Sequence, residues 1–139
     1  LVPALQQCIE GVEASAKAGG DDSDVPNMAD CISVGTNACQ NESGASTPQG
    51  IVVCDREEQA FWEALLSFSY DSLRTSLPAS AFRSLEAAQK AWLPWRAARC
   101  KFVFDSSGSA ADSPDYLSFC LMETTGERAI DLLDVMEGG

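Results

Sequence analysis

The sequence predicts an all-α fold: a small disulfide-linked antiparallel bundle, made of a long helical hairpin and a third helix, with an N-terminal helical, loop-rich extension. After residue 50, apolar residues recur with helical spacing in three long segments, and no segment shows the alternation of a strand. Six cysteines without any CxxC pair favour three disulfides in an oxidising compartment over a metal or redox site.

The first 50 residues are rich in turn formers and contain one basic residue, Lys17. A helix is predicted over residues 4–18, before the Gly19–Gly20 pair that suits a helix stop. A second short helix is predicted over residues 27–34, and residues 35–50 are predicted to form a loop. The composition changes near residue 50, so we expect an N-terminal helical, loop-rich extension ahead of the long helices.

Three long helices are predicted in the remainder. The first runs from about residue 51 to Leu77, before Pro78, with acidic residues in its early turns. Its apolar stripe includes Trp62, Leu66, Tyr70, Leu73 and Leu77. The second covers residues 80–102, with a predicted buried face of Phe82, Leu85, Ala88, Trp92 and Trp95. The third begins at Pro114 and ends near Met136, with Leu117, Leu121, Leu132 and Val135 predicted to face inwards. The intervening residues 105–113 are predicted to be a polar loop.

The predicted hairpin limits which cysteines can pair with each other. Helices joined by a short loop are antiparallel neighbours, so Cys100 and Cys120 should lie at similar heights on either side of their loop. Cys39 and Cys54 flank the loop that leads into the first long helix, and Cys8 and Cys31 are then left to pair. Cys54–Cys100 remains an alternative, since those two positions are also level in an antiparallel hairpin.

Charge and composition exclude several function classes. The chain has no histidine, so Ser-His-Asp and Cys-His catalysis and histidine-containing metal sites are impossible. A net charge of −12 argues against nucleic acid as a partner. No apolar run is long enough to span a membrane, and no signal peptide is seen in this chain. We expect no enzyme activity, metal or cofactor; the carboxylate pairs Glu57/Glu58 and Asp131/Asp134 are predicted to lie on exposed helix faces.

A run of residues in the second long helix carries a family resemblance. Residues 85–100 read Leu-Glu-Ala-Ala-Gln-Lys-Ala-Trp-Leu-Pro-Trp-Arg-Ala-Ala-Arg-Cys. This run resembles the signature of the LprI-like lysozyme inhibitor family, with Gln89, Trp92, Arg96 and Cys100 at the signature spacings. Leu66 and Tyr70 match the preceding helix of the family, and Cys120, Thr125, Arg128 and Leu132 match its C-terminal part. Ser67 and Ala97 depart from the usual pattern. The resemblance covers residues 39–132. It implies that residues 1–38 are an extension, which we expect to pack on a helical domain of residues 39–139.

The resemblance implies a disulfide-linked helical hairpin with a third helix, and inhibition of lysozyme in the bacterial envelope. We therefore expect a periplasmic or secreted protein that binds a lysozyme or another cell-wall hydrolase. The alternative is an envelope structural or interaction module with another partner and no inhibitory activity. Animal lysozymes are basic, so an acidic inhibitor would be steered towards them, although acidity also keeps an exported protein soluble.

Two kinds of residue are candidates for the binding surface. If a polar loop enters the enzyme cleft, the best candidate is the loop of residues 105–113, with Ser107, Gly108 and Ser109 at its tip, followed by the loop of residues 39–50. The motif residues Gln89, Trp92 and Arg96, together with Arg99, share one helix, where they either form a recognition surface or connect neighbouring helices. The second of these roles is favoured for them and for Arg128, since they lie beside the predicted Cys100 disulfide.

Overall fold

The computed structural model describes residues 1–18, 27–44, 47–107 and 114–138. These residues form a 3₁₀-helix (Met28–Cys31) and five α-helices. The α-helices are α1 (Val2–Lys17), α2 (Val34–Ser43), α3 (Pro48–Ser76), α4 (Ala79–Ser106) and α5 (Asp115–Met136). No strand occurs in the described part of the chain, and the all-α class is confirmed.

The long helix α3 begins earlier than its apolar stripe suggests. Thr47 lies at the N-cap, where its side-chain oxygen accepts a hydrogen bond from the Gly50 backbone N–H at 3.1 Å, and Pro48 follows in the first turn. Both residues suit a helix start. Residues 48–50 are therefore helical rather than part of the predicted loop.

Helix α2 corrects the prediction of a loop over residues 35–50. Its first turn is capped by a carboxylate from α3, because Glu58 accepts hydrogen bonds from the backbone N–H groups of Ser33 at 2.7 Å and Thr36 at 2.8 Å. The helix ends at Gly44, whose φ of +63° favours glycine. This cap comes from a distant part of the sequence, so local propensity does not reveal it.

The short helix predicted over residues 27–34 is instead a single 3₁₀ turn, Met28–Cys31. Asn27 and Asp30 form a capping box there: the Asn27 side chain accepts from the Ala29 N–H, and the Asp30 carboxylate accepts from the Asn27 N–H. The chain then turns through Ser33, whose φ of +79° is unusual for a residue with a side chain. Ser33 precedes α2, so the turn changes the direction of the chain between the two helices.

Helices α3 and α5 form the centre of the molecule. Trp62 of α3 and Met122 of α5 are fully buried, and Leu5 of α1 is buried in the same cluster. The other buried members of the cluster are Cys31, Leu66, Leu73, Ala129, Ile130 and Leu132. Residues 1–38 thus contribute to the same core as the long helices, while their treatment as a separate extension stays a prediction.

Helix α4 lies at the edge of the molecule, and this position changes the predicted buried face. Of its residues, all of them described, Cys100 alone is buried. Trp95 is 52% exposed and Ala88 is also exposed, so their predicted burial is wrong. Leu117 and Val135 of α5 are likewise exposed, at 37% and 49%. In α5 the core-facing residues include Met122, Ala129 and Leu133.

Three disulfides connect the helices: Cys8–Cys31, Cys39–Cys54 and Cys100–Cys120, with Cα–Cα distances of 5.7, 5.6 and 5.6 Å. The alternative Cys54–Cys100 bond is not formed. The Cys100–Cys120 bond joins the C-terminal part of α4 to the N-terminal part of α5, on either side of their connection. No helix of the described residues is long and apolar enough to cross a membrane.

Candidate functional site

The polar motif residues of α4 contact α3 and α5. Arg96 donates through Nη1 to the Thr125 hydroxyl of α5 at 2.9 Å and to Glu63 Oε1 of α3 at 3.1 Å. The Arg96 guanidinium also lies over the Trp92 ring, 4.8 Å from its centroid, and the side chain is 17% exposed. Such a sheltered, charge-assisted contact is stronger than an ordinary surface ion pair. Arg96 therefore connects the three long helices.

Two further arginines join α4 to α5. Arg128 of α5 donates through Nε to Gln89 Oε1 at 3.0 Å. Arg99 of α4 donates to the Thr124 hydroxyl at 2.9 Å, beside the Cys100–Cys120 disulfide. The connecting role expected for Gln89, Arg96, Arg99 and Arg128 is consistent with these bonds. Helix α4 has little buried surface, and the hydrogen bonds of Arg96, Arg99 and Gln89 help to hold it against α5.

A groove of about 430 Å³ separates α3 from α4. We call it the α3–α4 groove. On α3 it is lined by Glu63, Leu66, Ser67, Tyr70, Asp71 and Arg74. On α4 it is lined by Gln89, Trp92, Leu93 and Arg96. Five of the ten residues that carry the family resemblance therefore lie in this groove. Two others, Thr125 and Arg128, hydrogen-bond to Arg96 and Gln89.

Sequence reasoning missed the charged residues of this groove. Glu63 and Arg74 share the groove-facing side of α3 with Leu66 and Tyr70, at spacings of three or four residues that would have indicated it. Arg74 pairs with Asp71 at 3.6 Å, and its guanidinium lies over the Tyr70 and Phe82 rings, 5.6 and 5.3 Å from their centroids. The groove is thus wholly formed by side chains of the two longest helices.

A separate cluster contains Asp55 and Glu58, and the predicted exposure of Glu58 is wrong. Asp55 and Glu58 are both fully buried, on the same stripe of α3 as Trp62. Asp55 accepts from the Thr36 and Ser118 hydroxyls at 2.7 Å each, while the Trp62 indole N–H donates to Glu58 at 2.8 Å. Extending the spacing of Trp62 back by four and seven residues reaches Glu58 and Asp55, so the buried face could have been recognised.

Burial raises the pKa of Asp55 above its ordinary value, and the hydrogen bonds from Thr36 and Ser118 oppose this shift. No group of His, Cys, Asp or Glu side chains in the described residues is arranged to hold a metal ion. The hydrogen bonds of Asp55 and Glu58 join α2 and α5 to α3.

The predicted binding loop is only partly within the described residues. Ser107 follows the end of α4, where its hydroxyl donates to the Phe104 carbonyl at 2.8 Å. Gly108 and Ser109 lie outside the described residues. Asp105 and Ser106 belong to α4 rather than to the loop. The second candidate loop is likewise changed, since most of residues 39–50 belong to α2 and α3.

The fold and this network define a small all-α protein in which three disulfides and a set of buried or sheltered polar contacts hold long helices together. A family model described as lysozyme inhibitor LprI matches residues 39–132. The chain belongs to the LprI lysozyme inhibitor family. Neither a search of curated proteins nor a search of solved structures found a match.

Proposed function

We propose that this protein inhibits a lysozyme or a related cell-wall hydrolase by binding to it, and has no catalytic activity of its own. The observation that carries the proposal is the family match over residues 39–132. The proposed location is the periplasm or the cell exterior, because the three disulfides require an oxidising compartment to persist.

The charge distribution supports a basic partner. The residues from 102 to the C-terminus have a net charge of −7, and most of their acids lie on α5. Glu127, Asp131 and Asp134 are exposed at spacings of four and three residues, so they share one side of the helix. Loss of part of its hydration raises the pKa of Glu127. The negative charges of Glu123 and Asp131 raise it further, and the Arg99 guanidinium opposes the shift. A basic enzyme would be attracted to this acidic face of α5.

The direct test is a bacterial lysis assay with the purified, fully oxidised protein and a basic animal lysozyme. We expect slower lysis in proportion to the inhibitor concentration, and co-elution of the two proteins at low ionic strength. If lysis proceeds at the control rate and no complex elutes, the inhibitor assignment is wrong. A negative result would favour the alternative function, an envelope interaction module. The arginine contacts between α4 and α5 are compatible with that alternative, because they give the family motif a role in the fold.

A matched pair of charge variants separates local contact from general attraction. Glu127→Lys combined with Asp131→Lys changes the acidic face of α5, while Glu10→Lys combined with Glu13→Lys changes exposed positions on α1. Both double variants have a net charge of −8 instead of −12. We expect the α5 variant to weaken inhibition by at least about tenfold and the α1 variant by less than about threefold. Equal losses would mean that net charge alone drives association.

A further inference from the structure

The charged side chains in the α3–α4 groove are paired with each other. Arg96 contacts Glu63 at 3.1 Å, and Arg74 contacts Asp71 at 3.6 Å. These two arginines and two acids give the groove a formal charge of zero, within a chain whose net charge is −12. The groove therefore has little electrostatic preference for a cationic or an anionic ligand, unlike the acidic face of α5.

The groove also offers uncharged hydrogen-bonding groups. The hydroxyls of Ser67 and Tyr70 and the indole N–H of Trp92 have no hydrogen-bond partner among the residues that the structure describes. Gln89 accepts from Arg128 through Oε1, which leaves its amide N–H₂ group available. All four groups can donate, and the two hydroxyls can also accept. A ligand rich in hydroxyl and carbonyl oxygens would satisfy them.

Apolar surface accompanies these polar groups. Leu66 forms a buried part of the lining, Leu93 is 50% exposed, and the rings of Tyr70 and Trp92 are half-buried. A volume of about 430 Å³ lies in the range of small-ligand sites. The hydrogen bonds of Arg96 to both Glu63 and Thr125 hold the two sides in place, which lowers the entropy lost on binding.

We propose that the α3–α4 groove binds a neutral oligosaccharide. A sugar chain combines uncharged hydroxyl groups with apolar C–H surfaces, and this combination matches the free donors and the apolar lining of the groove. A peptide would offer fewer hydroxyl groups, and a charged ligand would meet a like charge beside each opposite one, since Arg96 pairs with Glu63 and Arg74 with Asp71. The proposal concerns glycan binding by this protein alone, and does not depend on inhibition of an enzyme.

The test is an NMR titration of the ¹⁵N-labelled, oxidised protein with tri-N-acetylchitotriose and, separately, with maltotriose. The Trp92 indole N–H signal, assigned with a Trp92→Phe variant, is expected to shift in a saturable manner, with a dissociation constant on the order of 1 mM. The Trp62 indole signal should stay in place, because that group is buried and bonded to Glu58 at 2.8 Å. If only tri-N-acetylchitotriose binds, the groove recognises a sugar with acetamido groups. If only maltotriose binds, it recognises a sugar with hydroxyl groups alone.

A pair of filling variants tests the position of the site. Ser67→Phe places a ring in the groove, whereas Ala64→Phe places the same ring at an exposed position of α3 outside it. We expect Ser67→Phe to weaken sugar binding by at least about tenfold and Ala64→Phe to change it by less than about twofold. The dispersion of the amide spectrum reports whether each variant is folded. If Ser67→Phe is not folded, Tyr70→Phe, which removes only a hydroxyl, should weaken binding severalfold.

Two results would overturn the proposal. The first is the absence of a saturable Trp92 shift with either sugar at the highest soluble concentration. The second is unchanged sugar binding in folded Ser67→Phe. Titration with a lysozyme in place of sugar gives a further distinction: a Trp92 shift with the enzyme and none with the sugars would assign the groove to a protein contact and exclude the glycan. Since the sugar titrations contain no lysozyme, their failure is distinct from a failure to inhibit.

Discussion

Glu58 is a charged side chain in a position where an apolar residue would be expected. It is fully buried and accepts hydrogen bonds from three N–H groups, those of Ser33, Thr36 and Trp62, at 2.7 to 2.8 Å. A carboxylate is suited to this role because it has two acceptor oxygens and no donor. One side chain therefore joins the start of α2, the middle of α3 and the indole at the centre of the core.

Glu58→Gln is expected to lower the free energy of unfolding by about 2–3 kcal/mol, because the amide N–H₂ group would face N–H donors and leave at least one of them without an acceptor. Urea denaturation followed by far-UV circular dichroism measures the change. Glu42→Gln makes the same replacement at an exposed position of α2 and should change the free energy by less than about 0.5 kcal/mol. Equal effects in the two variants would contradict the capping role of Glu58.

Asp55 makes the stability depend on pH. Burial raises the pKa of this carboxyl above its ordinary value of 3.8, so the folded state favours the protonated form. The resulting stabilisation is fully present below pH 3.8 and is lost as the pH rises through the pKa of the folded state. In Asp55→Asn, the side chain at this position cannot ionise, so the variant does not lose this stabilisation as the pH rises. We therefore expect the free energy of unfolding of the variant to rise relative to the original chain between about pH 3 and pH 7.

This difference is measured by urea denaturation at a series of pH values. Asp134→Asn removes an exposed carboxylate from α5 and serves as the control for loss of one negative charge. Two results would contradict this prediction: a difference between Asp55→Asn and the original chain that stays constant across this pH range, or one that changes as it does for Asp134→Asn. Either would mean that burial has no net effect on the pKa of Asp55.

At the scale of the elements, the sequence predicts the three long helices because each carries an apolar stripe that extends over several turns. The three disulfides likewise join the pairs that the positions of the helix ends favour. Helix α2 was not predicted, since its first turn depends on Glu58, which is more than 20 residues away in sequence. The α3–α4 groove was not predicted either: spacing shows which residues share a side of a helix, but not how far apart two helices lie.

The contact between α1 and α2 depends on a glycine. A Cβ atom added at Gly35 would lie 2.7 Å from Leu5 Cδ1 and 2.9 Å from Leu5 Cγ. Leu5 is fully buried, and the added atom would also lie 3.0 Å from Glu58 Oε1. Gly35→Ala is therefore expected to lower the free energy of unfolding by about 1–3 kcal/mol.

Gly11→Ala provides the matched control for this substitution. Nothing lies within 4 Å of a Cβ at Gly11, which is exposed in the middle of α1. Alanine is the better helix former, so this variant should be more stable by about 0.5–1 kcal/mol. In thermal unfolding, Gly35→Ala should thus lower the melting temperature and Gly11→Ala should raise it. A stabilising effect of Gly35→Ala would mean that α1 and α2 are less closely packed.

For the whole molecule, the excess of acidic residues should make association sensitive to salt. The Debye length falls from about 10 Å at 0.1 M to about 3 Å at 1 M ionic strength, so long-range attraction of a basic enzyme is screened. We expect the association rate constant with a basic lysozyme to fall by at least about tenfold over this range, with a smaller change in the dissociation rate constant. Surface plasmon resonance measures both constants. An unchanged association rate would show that the net charge of −12 does not steer the partner.

The order of the disulfides along the chain has a consequence for how the protein is made. The bonds Cys8–Cys31, Cys39–Cys54 and Cys100–Cys120 join consecutive cysteines, and none of the three loops overlaps another. A chain delivered from its N-terminus into an oxidising compartment thus presents the native partner of each unpaired cysteine before any other unpaired cysteine arrives. An oxidase that joins cysteines in order of arrival would produce the native pairing, and the protein would have little need of a disulfide isomerase.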